Sequence, residues 1–411
     1  MKISWIDKSL VILFMLLVVM AGVSFYLQDI RTLFYNKAPI SNVKSDVLSS
    51  SITSINPLPS PPPQKLSNPP KIIKAVYVTG YSAGTKKYLN YLTNIFKTTE
   101  INSVVIDIKD YSGLVSYDSL APDVKKYNLY NNAIPDINAL VKFFHDKNIY
   151  VIGRIAVFED PGYSKSRPEL AIYNKNQTTN LSQPVLWQDN NKLSWMDPSS
   201  KEVWDYNISL AKDAFYHGFD EINFDYVRFP TDGNKDSMGF PVYNGKTMKS
   251  EIIKEFFNYT RQNLAGEKIS VDLFGQTTTN TDDMGIGQVI ENAFENFDYI
   301  SPMVYPSHYI DGFMGFSNPA DHPYDIIKYS MSTALTRENS FLKQRQGLPT
   351  PIMVPLAKFR PWLQDFNMGA DYTSDMVKAE IQATQDSLGA DYNGFMLWNP
   401  SNIYTQGAIM R

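Results

Sequence analysis

Hydrophobic positions in residues 71–411 follow two alternating patterns. Short apolar runs resemble buried β-strands, and between them lie stretches whose apolar residues recur every three to four positions, as on one face of an α-helix. The helical pattern is clearest at Glu202–Tyr216, and Ile134–Asp146, Ser250–Leu264 and Met376–Leu388 are further candidates. The predicted strands are Ile73–Val78, Ser103–Ile108, Ile149–Val157, Glu221–Phe224, Lys268–Phe274, Tyr299–Val304, Ile352–Leu356 and Gly394–Trp398.

This alternation predicts an α/β fold, a (β/α)8 TIM barrel with enlarged loops. A doubly wound open sheet is the alternative. The chain lacks the GxGxxG and GxxxxGK[ST] sequences that usually bind nucleotides in such sheets, so the barrel is favoured.

The chain before residue 71 has a different character. Residues 1–8 contain Lys2 and Lys8, and the uncharged apolar run 9–27 is long enough to span a bilayer. The basic residues predict a cytoplasmic N-terminus and a single-pass anchor in the cell membrane. Small residues near Ala21 leave cleavage as a signal peptide, and hence secretion, as the alternative. Residues 28–70 are predicted to be a disordered Ser- and Pro-rich linker, and residues 71–411 an extracytoplasmic barrel.

The amino-acid composition excludes or disfavours several kinds of functional site. The 411 residues include no cysteine and only four histidines, so thiolate catalysis is excluded and no metal site is expected. The net charge of −4, without a long basic run, argues against a nucleic-acid partner. We predict no cofactor, and we expect the partners to be a glycan substrate and the membrane.

The segment 218–230, GFDEINFDYVRFP, carries the strongest chemical signal. Alternation along a strand puts Asn223 and Asp225 on the face opposite Ile222 and Phe224. Barrel enzymes place their chemistry at the carboxyl ends of the strands. Asp225 is therefore predicted to lie at an active site.

A second carboxylate follows the next predicted strand. Glycoside hydrolysis usually needs two carboxyl groups, one that donates a proton and one that attacks or activates water. Asp225 is predicted to be the nucleophile or general base, and Asp272 the general acid. The alternative is that each aspartate caps a loop or helix. If the pair proved to be far apart, Asp107, Asp110, Glu159 and Asp160 would be the next candidates.

Other residues at the predicted strand ends are candidates for substrate binding. Arg228 could bind substrate or pair with Asp225, and Lys109 could form a structural ion pair or a Schiff base. Trp398 could form the floor of a sugar subsite or part of the core. The predicted substrate-binding residues are Tyr81, Asp107, Lys109, Asp110, Arg154, Asn223, Arg228, Tyr305, His308, Trp398 and Asn399.

Several segments in order along 71–411 match a known family. They are AVYVTGYSAG (75–84), SVVIDIKDYSGLVSY (103–117), GFDEINFDYVRFP (218–230), ISVDLFG (269–275), DYISPMVYPSHY (298–309), RPWLQDF (360–366) and GFMLWNP (394–400). The chain resembles a bacterial family of proposed glycoside hydrolases, a domain of unknown function in the TIM-barrel glycosidase superfamily. The resemblance implies a (β/α)8 fold and action on a polysaccharide.

A more distant resemblance, to chitinase-like barrels of glycosidase family eighteen, concerns the fourth strand. Asp220, Asn223 and Asp225 occupy aspartate-like positions, but Val227 stands where those barrels have the catalytic glutamate. This departure gives the leading role to Asp225 if the protein is an enzyme. It also keeps open a non-catalytic, glycan-binding barrel. A metal-dependent deacetylase is a third possibility, against which the scarcity of histidine argues.

Overall fold

The computed structural model describes residues 61–347 and 355–411. The predicted cytoplasmic segment 1–8, the predicted anchor 9–27 and most of the predicted linker 28–70 lie outside these residues. Among the helices of the described part of the chain, none combines the length and apolarity needed to cross a membrane.

Eight parallel strands close into a barrel, which confirms the predicted fold class. They are β1 (Ile73–Val78), β2 (Ser103–Lys109), β3 (Tyr150–Ala156), β4 (Glu221–Asp225), β5 (Ile269–Phe274), β6 (Tyr299–Met303), β7 (Lys358–Phe359 and Trp362–Gln364) and β8 (Gly394–Trp398). Each strand pairs with its neighbour in chain order, and β8 pairs with β1 to close the ring. A two-residue antiparallel ladder joins Tyr173–Asn174 to Met238–Gly239 outside the barrel.

Helices surround most of the barrel. They are α1 (Gly80–Ala83), α2 (Lys86–Thr98), α3 (Pro122–Tyr127), α4 (Ile137–His145), α5 (Pro161–Ser166), α6 (Lys201–Tyr216), α7 (Lys249–Asn263), α8 (Pro323–Gln346) and α9 (Ser374–Leu388). The fully described connection between β5 and β6 contains only short 3-10 turns. The barrel therefore departs from strict alternation of strand and helix at this position.

Four helices and seven of the eight strands were predicted to within two or three residues. The helices α1, α2, α3, α5 and α8 were not predicted. The longest of them, α8, has little amphipathic character, and its buried residues are confined to its first half. The predicted strand Ile352–Leu356 falls mostly outside the described residues, and Leu356 is not in a strand. The seventh strand lies later in the chain, at Lys358–Phe359 and Trp362–Gln364.

The residues of β4 alternate between two environments. Ile222 and Phe224 point outward into the apolar layer beneath the helices, where the Phe224 ring lies 6.4 Å from that of Phe256. Glu221, Asn223 and Asp225 point into the barrel, as the alternation predicts. The interior of the barrel is therefore polar along β4, and its outermost inward-facing group is the carboxylate of Asp225.

The amino-terminal end of the barrel is closed by a buried ion pair and by the chain before β1. Arg360 binds the Glu221 carboxylate, and both side chains are fully buried. Leu66 packs against the interior cluster, and its backbone N–H donates a 2.7 Å hydrogen bond to Asp220. The described end of the predicted linker, residues 61–70, thus contacts the barrel, although it contains no helix or strand.

Candidate functional site

A cavity of about 460 Å³ opens at the carboxyl ends of the strands. Charged, aromatic and amide side chains from β3 to β8 and the loops after them surround it. Its lining residues are Arg154, Asp225, Tyr226, Arg228, Asp272, Phe274, Gly275, Gln276, Met303, Tyr305, His308, Tyr309, Trp362 and Trp398. This is the end of a barrel where enzymes of this fold carry their active sites.

Asp225 is held by an arginine from the neighbouring strand. Arg154, on β3, donates hydrogen bonds to one Asp225 oxygen from Nε (3.1 Å) and from Nη2 (2.5 Å). The other Asp225 oxygen accepts a 2.6 Å bond from the backbone N–H of Tyr226, whose φ of 54° lies in the left-handed region. The carboxylate is therefore fixed in orientation and faces a permanent positive charge.

Asp107 supports Arg154 from the other side. Its carboxylate accepts a 2.6 Å bond from Nη1 of Arg154 and another from the hydroxyl of Tyr77. Burial raises the pKa of Asp107 to about 6. The Asp107 side chain is not among the cavity-lining residues. In the structure, Asp107 orients Arg154, and its role in substrate binding stays a prediction.

Asp272 lies on β5, which pairs with β4 as predicted. One of its carboxyl oxygens accepts 2.8 Å hydrogen bonds from Nδ2 of Asn223 and Nε1 of Trp362. The other oxygen is buried and has no hydrogen-bond partner among the described residues. Burial, and then the nearby charge of Asp225, raise the pKa of Asp272 well above its usual value. Its surroundings therefore favour the protonated form of the carboxyl group.

The two aspartates lie close together. Nε of Arg154 is 3.1 Å from an oxygen of Asp225 and 4.0 Å from an oxygen of Asp272. Because both distances start from one atom, these two oxygens are at most about 7 Å apart. This limit includes the retaining spacing of roughly 5–5.5 Å and the short end of the inverting range.

Aromatic rings form one wall of the cavity. Trp398, at the end of β8, stacks on Tyr77 with ring centroids 3.9 Å apart and meets Trp362 edge-on at 5.6 Å. Tyr305 packs edge-on against His308, and burial lowers the pKa of His308. The structure therefore places Trp398, Tyr305 and His308 at the cavity as predicted, and it adds Trp362, which the sequence analysis did not single out.

Arg228 lines the cavity but does not pair with Asp225, which was one of its predicted roles. Among the described residues, no carboxylate oxygen lies within 4.0 Å of its guanidinium. The guanidinium packs over the rings of Trp195, Phe274 and Tyr226, with centroids 4.7, 4.9 and 5.4 Å away. The prediction that Arg228 contacts substrate is consistent with this position.

Lys109 does not reach the cavity. The ladder between β2 and β3 shifts register between Asp107 and Lys109. This β-bulge turns Lys109 to the outer face, where its Nζ lies 2.5 Å from Asp160 and both side chains are fully buried. A bulge inserts one extra residue, so it breaks the alternation on which the prediction depended. Lys109 therefore forms the structural ion pair, and its side chain lies outside the cavity lining.

Asn223 lies inside the barrel but outside the cavity lining, and its amide donates hydrogen bonds to Ser270 and Asp272. Three further predicted binding residues, all in segments that follow strands, also lie outside the lining. Tyr81 is exposed and accepts a hydrogen bond from Asn131. Asp110 binds the backbone and hydroxyl of Ser112 in a turn. The Asn399 side chain donates hydrogen bonds to the carbonyl of Asp365, which follows β7, and to the carbonyl of Ile403 in its own loop. Each follows a strand in sequence, but loop geometry directs it away from the cavity.

Position 227 does not face the cavity either. Val227 is fully buried in the apolar layer under the helices, since the left-handed residue Tyr226 interrupts the alternation after Asp225. Asp220 lies at the opposite end of β4, where it accepts hydrogen bonds from the backbone of Leu66 and Val151. The row of inward side chains is therefore Glu221, Asn223 and Asp225, rather than the row expected from chitinase-like barrels.

A second cavity of about 510 Å³ adjoins the first and shares Tyr226 and Arg228 with it. Glu159, which follows β3, lines this second cavity and is only 5% exposed. Burial raises the pKa of Glu159 to about 8. From the sequence, Glu159 was only a reserve candidate, because nothing in its local pattern shows that it lines the same cavity as Arg228.

Metal ligation has no geometric support in the residues described. No group of three or more histidine, aspartate or glutamate side chains in residues 61–347 and 355–411 is arranged to hold a metal ion.

Fold and site together define a TIM-barrel glycosidase. The sequence profile of the family described as "Putative glycosyl hydrolase domain" matches residues 75–404. The chain therefore belongs to this family, which confirms the resemblance seen in its motifs. No curated protein matches the sequence.

Two solved structures are similar to parts of this chain. A hypothetical protein from Ruminiclostridium thermocellum ATCC 27405 is 39% identical over 51% of this chain and 98% of its own, with a TM-score of 0.44. The PgaB (BpsB) glycoside hydrolase domain from Bordetella bronchiseptica is 12% identical over 80% of this chain and 95% of its own, with a TM-score of 0.55. The second similarity shows the barrel fold.

Proposed function

We propose that the chain is a glycoside hydrolase that cleaves a polysaccharide or cell-wall glycan, with Asp272 as general acid and Asp225 as nucleophile or general base. One observation supports this most directly. One Asp272 oxygen accepts two N–H donors, while the other has no partner among the described residues, in a group whose pKa is raised. The proton belongs on the free oxygen, from which it can pass to the leaving oxygen of a sugar.

Asp225 has the complementary arrangement. Its ion pair with Arg154 favours the charged carboxylate, which an attacking group or a base requires. Among the other cavity-lining side chains, Trp398, Tyr305 and His308 would orient the sugar ring.

Replacing Asp225 with Asn tests the assignment. The variant should lose at least about 10³-fold in glycan cleavage, measured as new reducing ends. It should stay folded, because Arg154 keeps its bond to Asp107. Full cleavage by the Asp225→Asn protein would contradict the proposal.

A non-catalytic glycan-binding barrel is the second candidate. It is favoured by the involvement of both Asp225 oxygens in hydrogen bonds within the protein. Retention of glycan on the immobilised wild-type protein, without new reducing ends after long incubation, would identify a binding protein.

We further propose that residues 9–27 anchor the protein in the cell membrane and hold residues 71–411 outside the cytoplasm. The uncharged apolar run after Lys2 and Lys8 supports this placement. Membrane fractionation and protease treatment of intact cells would test it. Recovery of a soluble protein beginning near residue 22 would indicate cleavage and secretion instead.

A further inference from the structure

The two cavities at the carboxyl end of the barrel meet at Arg228. The first holds Asp225 and Asp272, and the second is formed by the loops after β2, β3 and β4. Arg228 and Tyr226 line both. A glycan bound at the aspartates can therefore extend past Arg228 into the second cavity.

Arg228 differs from the other buried arginines of the barrel. Arg154 binds Asp107 and Asp225, and Arg360 binds Glu221. Arg228 is only 8% exposed, yet its described hydrogen bonds are two long ones from Nη1, to the carbonyl of Phe229 (3.3 Å) and the hydroxyl of Thr231 (3.5 Å). A buried charge normally has a paired, hydrogen-bonded partner. A ligand bound in the cavity can supply the missing partner of Arg228.

The carboxyl group of Glu159 feels the charge of Arg228 but has no hydrogen-bond partner among the described residues. Glu159 is only 5% exposed. With a pKa raised to about 8 by burial, it is neutral at pH 7 and does not offset the charge of Arg228. Its protonated oxygen is a hydrogen-bond donor.

The other acidic groups of the second cavity have different roles. Asp189 accepts bonds from the backbone of Asn191 and Leu193 and from the indole of Trp195, so it holds its own loop. Asp232 accepts a 3.4 Å bond from the backbone of Asn190. Neither pairs with Arg228.

We propose that Arg228 and Glu159 form a binding site for a sugar carboxylate, so that the glycan bound by this protein is acidic. A guanidinium recognises a carboxylate with two parallel hydrogen bonds, and a neutral carboxyl group can donate a third. The carboxylate could belong to a uronic acid residue or to a lactyl ether on an amino sugar. This inference rests on the proposed function and specifies its substrate class.

Binding by the full chain carrying Asp225→Asn, which should not consume the ligand, tests the site. The probes are oligomers of galacturonate, glucuronate, mannuronate and guluronate, their carboxyl-reduced neutral counterparts, and peptidoglycan strands stripped of peptide, whose lactyl carboxylates are free. We expect one acidic probe to bind about 10- to 100-fold more tightly than its neutral counterpart at pH 7. The probe that does so identifies the source of the carboxylate.

Arg228→Met should remove this preference, because acidic-probe binding should weaken much more than binding of the neutral oligomer. Lys249→Met is the matched control, since it removes a positive charge beside Phe229 but lies outside both cavities. It should leave the preference intact. Equal binding of acidic and neutral probes, or an equal loss of both in Arg228→Met, would overturn the inference.

The pH dependence of acidic-probe binding tests the role of Glu159 separately from that of Arg228. Acidic-probe binding should weaken as the pH rises through about 8, where Glu159 ionises and repels the ligand. Glu159→Gln should abolish that weakening, and an unchanged pH profile would remove Glu159 from the site. The other charged or titratable groups at this junction are Arg154, Asp225, Arg228, Asp189, Asp232, Tyr111 and Tyr226.

These outcomes are independent of catalysis. A protein that prefers an acidic probe through Arg228 but never cleaves it would refute the hydrolase and keep the carboxylate site. A protein that cleaves neutral glycans and shows no preference for acidic probes would support the hydrolase and refute the carboxylate site.

Discussion

Two carboxyl groups on adjacent strands, Asp225 and Asp272, have different surroundings. Asp225 faces the guanidinium of Arg154, whereas Asp272 is fully buried and accepts its hydrogen bonds at one oxygen only. Charge pairing favours an ionised group, and burial favours a neutral one. The proposed division of acid and base roles between the two aspartates thus rests on their neighbours and not on the residue type.

Asp272→Asn should alter the pH dependence of activity. Wild-type activity should fall as the pH rises through the raised pKa of Asp272, because a general acid must carry its proton. The variant should lose this alkaline decline and about 10²- to 10⁴-fold in rate on natural glycan. The loss should be much smaller on glycosyl fluorides, whose leaving group needs less protonation.

Glu159→Gln is the control for that pH profile, since the pKa of Glu159 is also raised, to about 8. Persistence of the alkaline decline in Glu159→Gln, together with its absence in Asp272→Asn, would assign it to Asp272. The opposite result would make Glu159 the acid.

The raised pKa of Asp272 also affects the stability of the fold. The folded state holds the Asp272 proton at pH values where the unfolded chain, with an aspartate pKa of about 3.9, has released it. The contribution of Asp272 is therefore most favourable below that pH and declines as the pH rises toward its folded pKa. Asp272→Asn should flatten the fall in melting temperature between pH 4 and pH 7, as measured by calorimetry.

At the scale of elements, neighbouring strands fix one another through buried polar groups. Arg154 on β3 connects to Asp107 on β2 and Asp225 on β4, and Asn223 on β4 connects to Asp272 on β5. At the other end of the barrel, Arg360 in β7 crosses the interior to Glu221 on β4. The position of the site residues therefore depends on the register of five strands.

Arg360→Met should destabilise the barrel by about 3–5 kcal/mol, because it leaves the Glu221 carboxylate buried without its charge partner. Denaturant unfolding measures the change. Combining it with Glu221→Gln should recover part of the loss, since no buried charge then remains. An unchanged unfolding midpoint in the single variant would show that the pair contributes little.

At the scale of the whole molecule, residues just before the barrel complete its amino-terminal end. Leu66 packs against the interior cluster, and Lys65 pairs with Glu267. The contacts of Leu66 and its bond to Asp220 join this segment to the start of β4. A protein that begins at Lys71, the boundary suggested by composition, would lack these contacts.

Leu66→Ala should lower the free energy of unfolding by about 1–2 kcal/mol, because the side chain is partly buried against the barrel interior. Leu181→Ala, at a side chain 65% exposed, is the matched control and should change stability by less than about 0.5 kcal/mol. Equal stability of the two variants would show that Leu66 does not contribute to closing the barrel.

The sequence by itself determined the barrel, its strands except the seventh, and the adjacency of Asp225 and Asp272. These features follow from local periodicity and from the chain order of parallel strands, both of which are readable along the chain. The alternation also placed Asn223 and Asp225 inside the barrel correctly.

Only the tertiary structure decided which charged groups meet. The bulge after Asp107 turned Lys109 outward to Asp160, and Arg154 rather than Arg228 became the partner of Asp225. Arg228 and Glu159, nearly 70 residues apart in the chain, were brought to one junction. A single extra residue in a strand, or a turn in a loop, reverses the direction of a side chain, and local sequence patterns do not encode contacts between distant loops.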